Sequence, residues 1–239
     1  MKQKLVIYLS FFVVLMLGYY AFVFTQTDIS QSSLPVINNN IHPFKFINQN
    51  GKEITERDME GKVYVAEYFF TTCRGICPKM NANMRRVYDA FKQEPNFMIL
   101  SHTCMPETDS VPLLKKYEQK MLLGKLVKGK GNAYLVEADS SVYQTAIPNN
   151  NVWQFVTGKK DELYGMARHS YIIDNTKIDT ATKVEDQFIH TQMFSLVDKQ
   201  FRVRGIYDGL KEEEIQKLIR DIKGLLKENT PNQSLKQKF

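Results

Sequence analysis

Two cysteines separated by three residues stand in the stretch Phe69-Phe70-Thr71-Thr72-Cys73-Arg74-Gly75-Ile76-Cys77-Pro78, and they are the side chains best suited to chemistry. A thiolate is a nucleophile, half of a redox pair, or a soft metal ligand. The turn precedes a helical pattern opened by Pro78, so the free N–H groups and positive end of that helix are expected to favour thiolate over thiol, with Arg74 adding to the effect. Three uses are open. The pair can be a stabilising disulfide, a dithiol that exchanges electrons, or part of a metal site. Dithiol oxidoreductases usually space the pair as C-x-x-C, and the extra residue here suits two sulfurs converging on a third object. Two sulfurs and one imidazole suit copper, and also zinc, although structural zinc sites usually close with four ligands. A peroxidase reading fails because its motif needs threonine where Phe70 stands.

The surrounding pattern must place this turn. Val63 to Phe70 is an apolar run broken only by Glu67, the mark of a buried central strand. From Pro78 to Phe91 the residues Met80, Met84, Val87, Tyr88 and Phe91 share one helical face, so the two methionines read as core. Phe97–Leu100 reads as a second buried strand leading to Cys104 and Met105, and Asp109 or Ser110 as the cap of a helix to Leu122. Residues 124–151 hold a short strand-like piece, Ala133–Val136, and are otherwise unplaced. Trp153–Val156 and Ser170–Ile173 read as strands around a helix from Gly158 to Ala167, and 174–187 as a loop. Residues 194–198 and 201–206 form a hairpin, and Glu212–Leu226 a last amphipathic helix. Phe44–Asn48 with Asn50-Gly51 reads as an N-terminal hairpin. The order is that of an α/β thioredoxin-like fold, a central mixed sheet flanked by helices, with the cysteine turn at the carboxyl end of a central strand.

The chain has 239 residues, 43% hydrophobic and 24% charged, with a mild net charge of +6 and no basic stripe, so nucleic acid is not an expected partner. Three cysteines are too few for a disulfide scaffold. Leu5–Phe24 is an uncharged apolar run after Lys2 and Lys4, enough to span a bilayer core of about 30 Å with the rest of the chain outside the cytoplasm. Its poor cleavage site favours an uncleaved signal anchor over a cleaved signal peptide. The division expected is an anchor at 1–24, a polar linker at 25–41, a folded domain at 42–226 and a flexible tail at 227–239. His42 and His169 read as solvated or structural.

The cysteine turn resembles the active-site turn of the Sco/SenC family. Pro106-Glu107-Thr108-Asp109-Ser110 is similar to that family's helix entry, and Trp153-Gln154-Phe155-Val156-Thr157-Gly158 to its Trp-x-Phe-Leu-Thr-Gly segment. Ile189-His190-Thr191, ahead of Phe194–Asp198, resembles its histidine segment in placing. The resemblance spans roughly residues 42–224. It implies a membrane-anchored copper protein with Cys73, Cys77 and His190 as ligands, delivering copper to the cytochrome c oxidase subunit that carries copper A. It implies single-pass attachment to the bacterial cytoplasmic membrane with the domain on the extracytoplasmic side. The alternatives are a thiol-disulfide oxidoreductase using Cys73 and Cys77, served by a thioredoxin-like reductant, and a tethered module with a structural disulfide. Thioredoxin-like oxidoreductases place a cis-proline against their cysteine pair. This chain has no proline between Pro148 and Pro231, and His190 stands near the expected place. Cys104 and Met105 depart from the family's valine and aspartate. Cys104, expected to share a strand face with His102, reads as a small apolar filler, or else Cys104 or Met105 is an accessory soft donor.

Overall fold

A computed structural model of the chain describes residues 2–26, 34–129, 133–147, 150–174 and 191–228. The first helix, α1 (Lys2–Gln26), has no acidic residue in its first turn and no basic residue in its last. From Val6 to Tyr20 its large apolar side chains are all exposed. Among the described residues no helix is long and apolar enough to cross a membrane.

The domain is built on one seven-stranded mixed sheet. Its strands are β1 (Lys45–Asn48), β2 (Glu53–Thr55), β3 (Val63–Phe69), β4 (Phe97–Thr103), β7 (Trp153–Thr157), β8 (Met193–Val197) and β9 (Val203–Asp208). They lie in the order β2-β1-β7-β4-β3-β8-β9. β3 pairs parallel with β4, and β4 with β7; the remaining pairs are antiparallel. β3 and β4 are buried at every residue, which is why Val63–Ala66 and Phe97–Leu100 run apolar without alternation. The helices α2 (Cys77–Phe91), α3 (Val111–Leu123) and α5 (Glu212–Lys227) contribute to a core with Val65, Phe69, Ile99 and Phe155. A second core, around Tyr64, Tyr68, Leu100 and Val156, takes Leu163 and Tyr164 of α4 (Lys160–Gly165) and Phe44 and Phe46 of the N-terminal hairpin. Met80 and Met84 are fully buried, as core residues should be.

Several elements differ from the sequence expectation. Residues 124–151 contain an antiparallel pair, β5 (Lys125–Lys128) and β6 (Tyr134–Glu137), outside the main sheet, then a short 3-10 turn at Val142–Gln144. Ser170–Ile173 is not a strand. A π-helical turn, Met166–Ser170, continues α4, and the Tyr171 and Ile173 N–H groups still bond back to Met166 and Ala167. Ile172 then takes a left-handed φ of 56°, which ends the run. Ser110 occupies the cap position of α3 but makes no side-chain cap bond, and Asp109 points elsewhere. Residues 34–41 are held on the domain: Asn38 bridges Val203 on β9, and the Leu34 carbonyl accepts from Arg204 at 2.8 Å. The loop expected at 174–187 falls, from residue 175 on, outside the described residues, as do His190 and the tail from 229.

Candidate metal and dithiol site

Strand β3 ends at Phe69, and the chain turns immediately, with the Cys73 N–H donating to the Phe70 carbonyl at 3.2 Å. Cys77 is the first residue of α2, and Pro78 follows it in the first turn, where a missing N–H leaves no bond unmade. The turn is fixed from the next strand. The Asp109 carboxylate, fully buried, accepts from the Thr71 N–H at 3.2 Å, from Thr71 Oγ1 at 2.5 Å and from Thr103 Oγ1. The Cys104 N–H donates to the Phe69 carbonyl at 2.7 Å, and the Cys104 carbonyl accepts from Tyr164 Oη at 2.9 Å. The end of β4 and the base of the cysteine turn are therefore held as one piece.

Neither Cys73 nor Cys77 is in a disulfide, and they differ in surroundings. Cys73 is half-buried and Cys77 is 5% exposed. Both thiols line one cavity. Burial pushes the Cys77 thiol well above its ordinary range, and the neighbouring Cys73 pushes it further. Loss of water around the sulfur therefore opposes the thiolate that the helix end was expected to favour. A cavity of about 340 Å³ opens over the pair, lined by Phe70, Cys73, Ile76, Cys77, Cys104 and Thr191 among others.

Cys104 reaches this cavity but is 3% exposed, and burial, then the nearby Cys77, raises its thiol strongly. Met105 is half-buried, packs on the second core and does not line the cavity. Among the described residues no group of three or more His, Cys, Asp or Glu side chains could hold a metal ion, so Cys104 does not complete such a set with Cys73 and Cys77. The third expected donor, His190, lies outside the described residues. Its chain neighbour Thr191 lines the cavity. His42 and His169 are exposed and line a different cleft.

Two buried polar groups beneath the turn escaped the sequence reading. Glu67, fully buried on β3, accepts from Ser101 Oγ at 2.6 Å with its other oxygen unpaired. Burial pushes its carboxyl up to about 8, against a smaller opposing effect of the Ser101 bond, and it is among the groups that raise Cys77. His102 is stacked on Tyr68 with ring centroids 4.8 Å apart, its Nδ1 3.2 Å from the Glu67 carbonyl. Burial pulls its imidazole down to about 3. The one signal available for Glu67 was that it alone interrupted the apolar run of β3.

Comparison with known proteins bears on this arrangement. The family model described as SCO1/SenC matches residues 36–145, which contain both cysteines of the turn. A SCO1 protein homolog of Bacillus subtilis (strain 168) is 29% identical over 189 residues, covering 78% of this chain and 83% of its own length. The solved structure of BsSco, described as a member of the Sco family of cytochrome c oxidase assembly proteins with a disulfide switch, superposes with a TM-score of 0.59. It is 27% identical and covers 82% of this chain and 98% of its own. Bradyrhizobium japonicum ScoI, solved with copper bound, shares the fold at a TM-score of 0.52 and 19% identity, over 77% of this chain and 98% of its own. With its dithiol turn between a central strand and a helix of a thioredoxin-like sheet, and with these matches, the chain is similar in sequence and fold to SCO1/SenC proteins.

Proposed function

We propose that this protein is a membrane-anchored copper carrier in cytochrome c oxidase assembly. It holds one copper ion as cargo through Cys73, Cys77 and His190 and passes it to the oxidase subunit that carries copper A. The observation that carries this reading is the cavity over the dithiol: its lining includes both Cys73 and Cys77 and also Thr191, the residue bonded to His190 in the chain. Two soft sulfurs and one nitrogen bind copper with an open position, which suits release by stepwise ligand exchange. Binding must displace the proton that burial holds on Cys77, so copper uptake releases protons. The copper seen in ScoI and the assembly role given to BsSco agree with the reading. The anchor is α1 as part of the 1–24 segment: its exposed apolar side chains cover a length of helix that water does not tolerate. The domain proper, about 42–226, then stands on the extracytoplasmic side of a bacterial cytoplasmic membrane.

The test uses the full chain in detergent, reduced and titrated with copper. One equivalent should bind with a sulfur-to-copper charge-transfer band. His190→Ala should weaken binding at least about tenfold, roughly 1.4 kcal/mol, and Cys73→Ser should abolish the band. Unchanged affinity in His190→Ala overturns the ligand set.

The unequal exposure of the two cysteines favours one further reading, a thiol-disulfide reductase. The Cys73 thiolate attacks a target disulfide, forming a mixed disulfide and releasing one target thiol. The Cys77 sulfur then attacks Cys73 and releases the second. The protons of Cys73 and Cys77 end on the two target thiols. The protein is left oxidised, and a thioredoxin-like dithiol must supply two electrons to reset it. Turnover of a peptide disulfide by the wild type, lost in Cys73→Ser but kept in His190→Ala, would identify this activity.

A further inference from the structure

The sheet register fixes which end of the domain faces the anchor. Val203 pairs with Val197, and Val197 is level with Tyr64 near the start of β3. The chain arriving from α1 docks at that level: Ile37 and Asn38 exchange backbone bonds with Val203, and Arg204 takes the Leu34 carbonyl through both Nε and Nη2. Arg204 is itself 5% exposed and held by Asp198 and Glu228, each at 2.9 Å. The entry point is therefore clamped to the sheet and to the C-terminal end of α5. The cysteine turn follows Phe69, at the other end of the same strand. Along β3 the separation is about 20 Å at roughly 3.3 Å per residue.

We infer that the cysteine turn occupies the pole of the domain that faces away from the bilayer, so that its partner is a protein site standing above the membrane surface and not one at the level of the lipid headgroups. The inference rests on the proposed anchoring by α1. Only the residues from Gln26 to Leu34 join the helix to the clamp. Their eight peptide steps reach at most about 28 Å. Turning the domain over would lift the clamp by about 20 Å plus the depth of the turn, and would hold the leash close to full extension. Charge acts in the same direction. Lys199, which donates to the carbonyls of Leu226 and Glu228, and the exposed Lys223 and Lys227 gather at the clamped pole, where Arg202 and Arg204 neutralise Asp198, and Arg204 also pairs with Glu228. Lysines there suit anionic headgroups.

The test places a fluorescent amino acid by codon suppression at Gln200, in the β8–β9 turn, or at Lys79, exposed in the first turn of α2. The full chain is reconstituted in vesicles of three parts phosphatidylcholine to one part phosphatidylglycerol, with and without nitroxide-headgroup lipid. Flotation with the vesicles is measured first. Failure to float overturns the anchoring and this inference with it. In floating samples, headgroup nitroxide should quench Gln200 several-fold more than Lys79. Quenching at Lys79 equal to or above that at Gln200 overturns the inference and leaves the anchoring standing.

Discussion

Asp109 shows how one side chain sets the geometry of the cysteine turn without touching a sulfur. It gathers Thr71 and Thr103, and so ties the residue two before Cys73 to the end of β4. Asp109→Asn keeps one acceptor and faces a donor toward hydroxyls, which should cost about 2–3 kcal/mol in urea unfolding, in the range for a bond to a charged group. Alkylation of Cys73 should become faster, because the turn loses its hold. Sequence pointed to Asp109 only as a helix cap; the distance between Thr71 and Asp109 along the chain hid the clamp. Glu67 and His102 give a second test, in pH. In the fold Glu67 keeps its proton up to about pH 8 but ordinarily releases it near 4.5. Its stabilising contribution is complete below about pH 4.5 and is lost as pH rises toward 8. His102 stays neutral in the fold down to about pH 3, whereas it ordinarily takes a proton near 6.5. Its contribution is complete above about pH 6.5 and is lost as pH falls toward 3. Between the two ordinary values the opposing slopes cancel. Urea midpoints should therefore show a plateau near pH 4.5–6.5 and fall on both sides. Glu67→Gln should remove the alkaline decline and leave the acid limb.

The elements around the site were largely legible because they repeat a simple physical pattern. β3 announces itself as an apolar run broken only by Glu67 and β4 by its apolar start Phe97–Leu100, and α2 and α5 as one-sided helices with Ile215, Leu218, Ile222 and Leu225 buried on α5. The turns between them were less legible. Ser170–Ile173 carries strand-like residues, yet the π turn and the left-handed Ile172 claim them. The β5–β6 arm was only half seen, because its pairing lies outside the main sheet; Arg86 packs over the Tyr134 ring at 4.3 Å and also pairs with Glu212 of α5. Gly209, just past β9, makes a sharper prediction. A Cβ there would lie 2.8 Å from the Gln192 carbonyl oxygen and 2.6 Å from the Phe194 ring, while the Gly209 carbonyl accepts from Asn83 of α2. Gly209→Ala must displace the Gln192 carbonyl and the Phe194 ring. It should cost about 1–3 kcal/mol, the usual toll of overpacking. Copper affinity should fall with it, because the segment at 191–193 carries the approach to the dithiol. Thermal unfolding and copper titration of the variant check both outcomes.

For the molecule as a whole, the apolar helix and the folded domain make opposite demands on the solvent. The full chain should sediment with membranes and need detergent for extraction, and a chain starting at residue 27 should remain in the supernatant while keeping Leu34 for its clamp to Arg204. Fractionation of both forms decides it. The dithiol turn and the strand before it were readable from the sequence, since both are local signals. What was not readable is the partnership between distant strands. β1 pairs with β7, and the two are more than a hundred residues apart in the chain, while β3 and β4 are neighbours in sequence and in space. The sheet is thus closed at both edges only after its centre, since β3 also pairs with β8 across more than a hundred residues. A chain threading outward from its anchor delivers the hairpin β1–β2 before the strand it needs, so that hairpin waits unpaired while the βαβ unit containing Cys73 and Cys77 assembles from local contacts. Pulse-labelled hydrogen exchange during refolding should protect β3 and β4 before β1. The dithiol would then take shape in an open half-sheet, and its encounter with oxidants begins before the protein is finished.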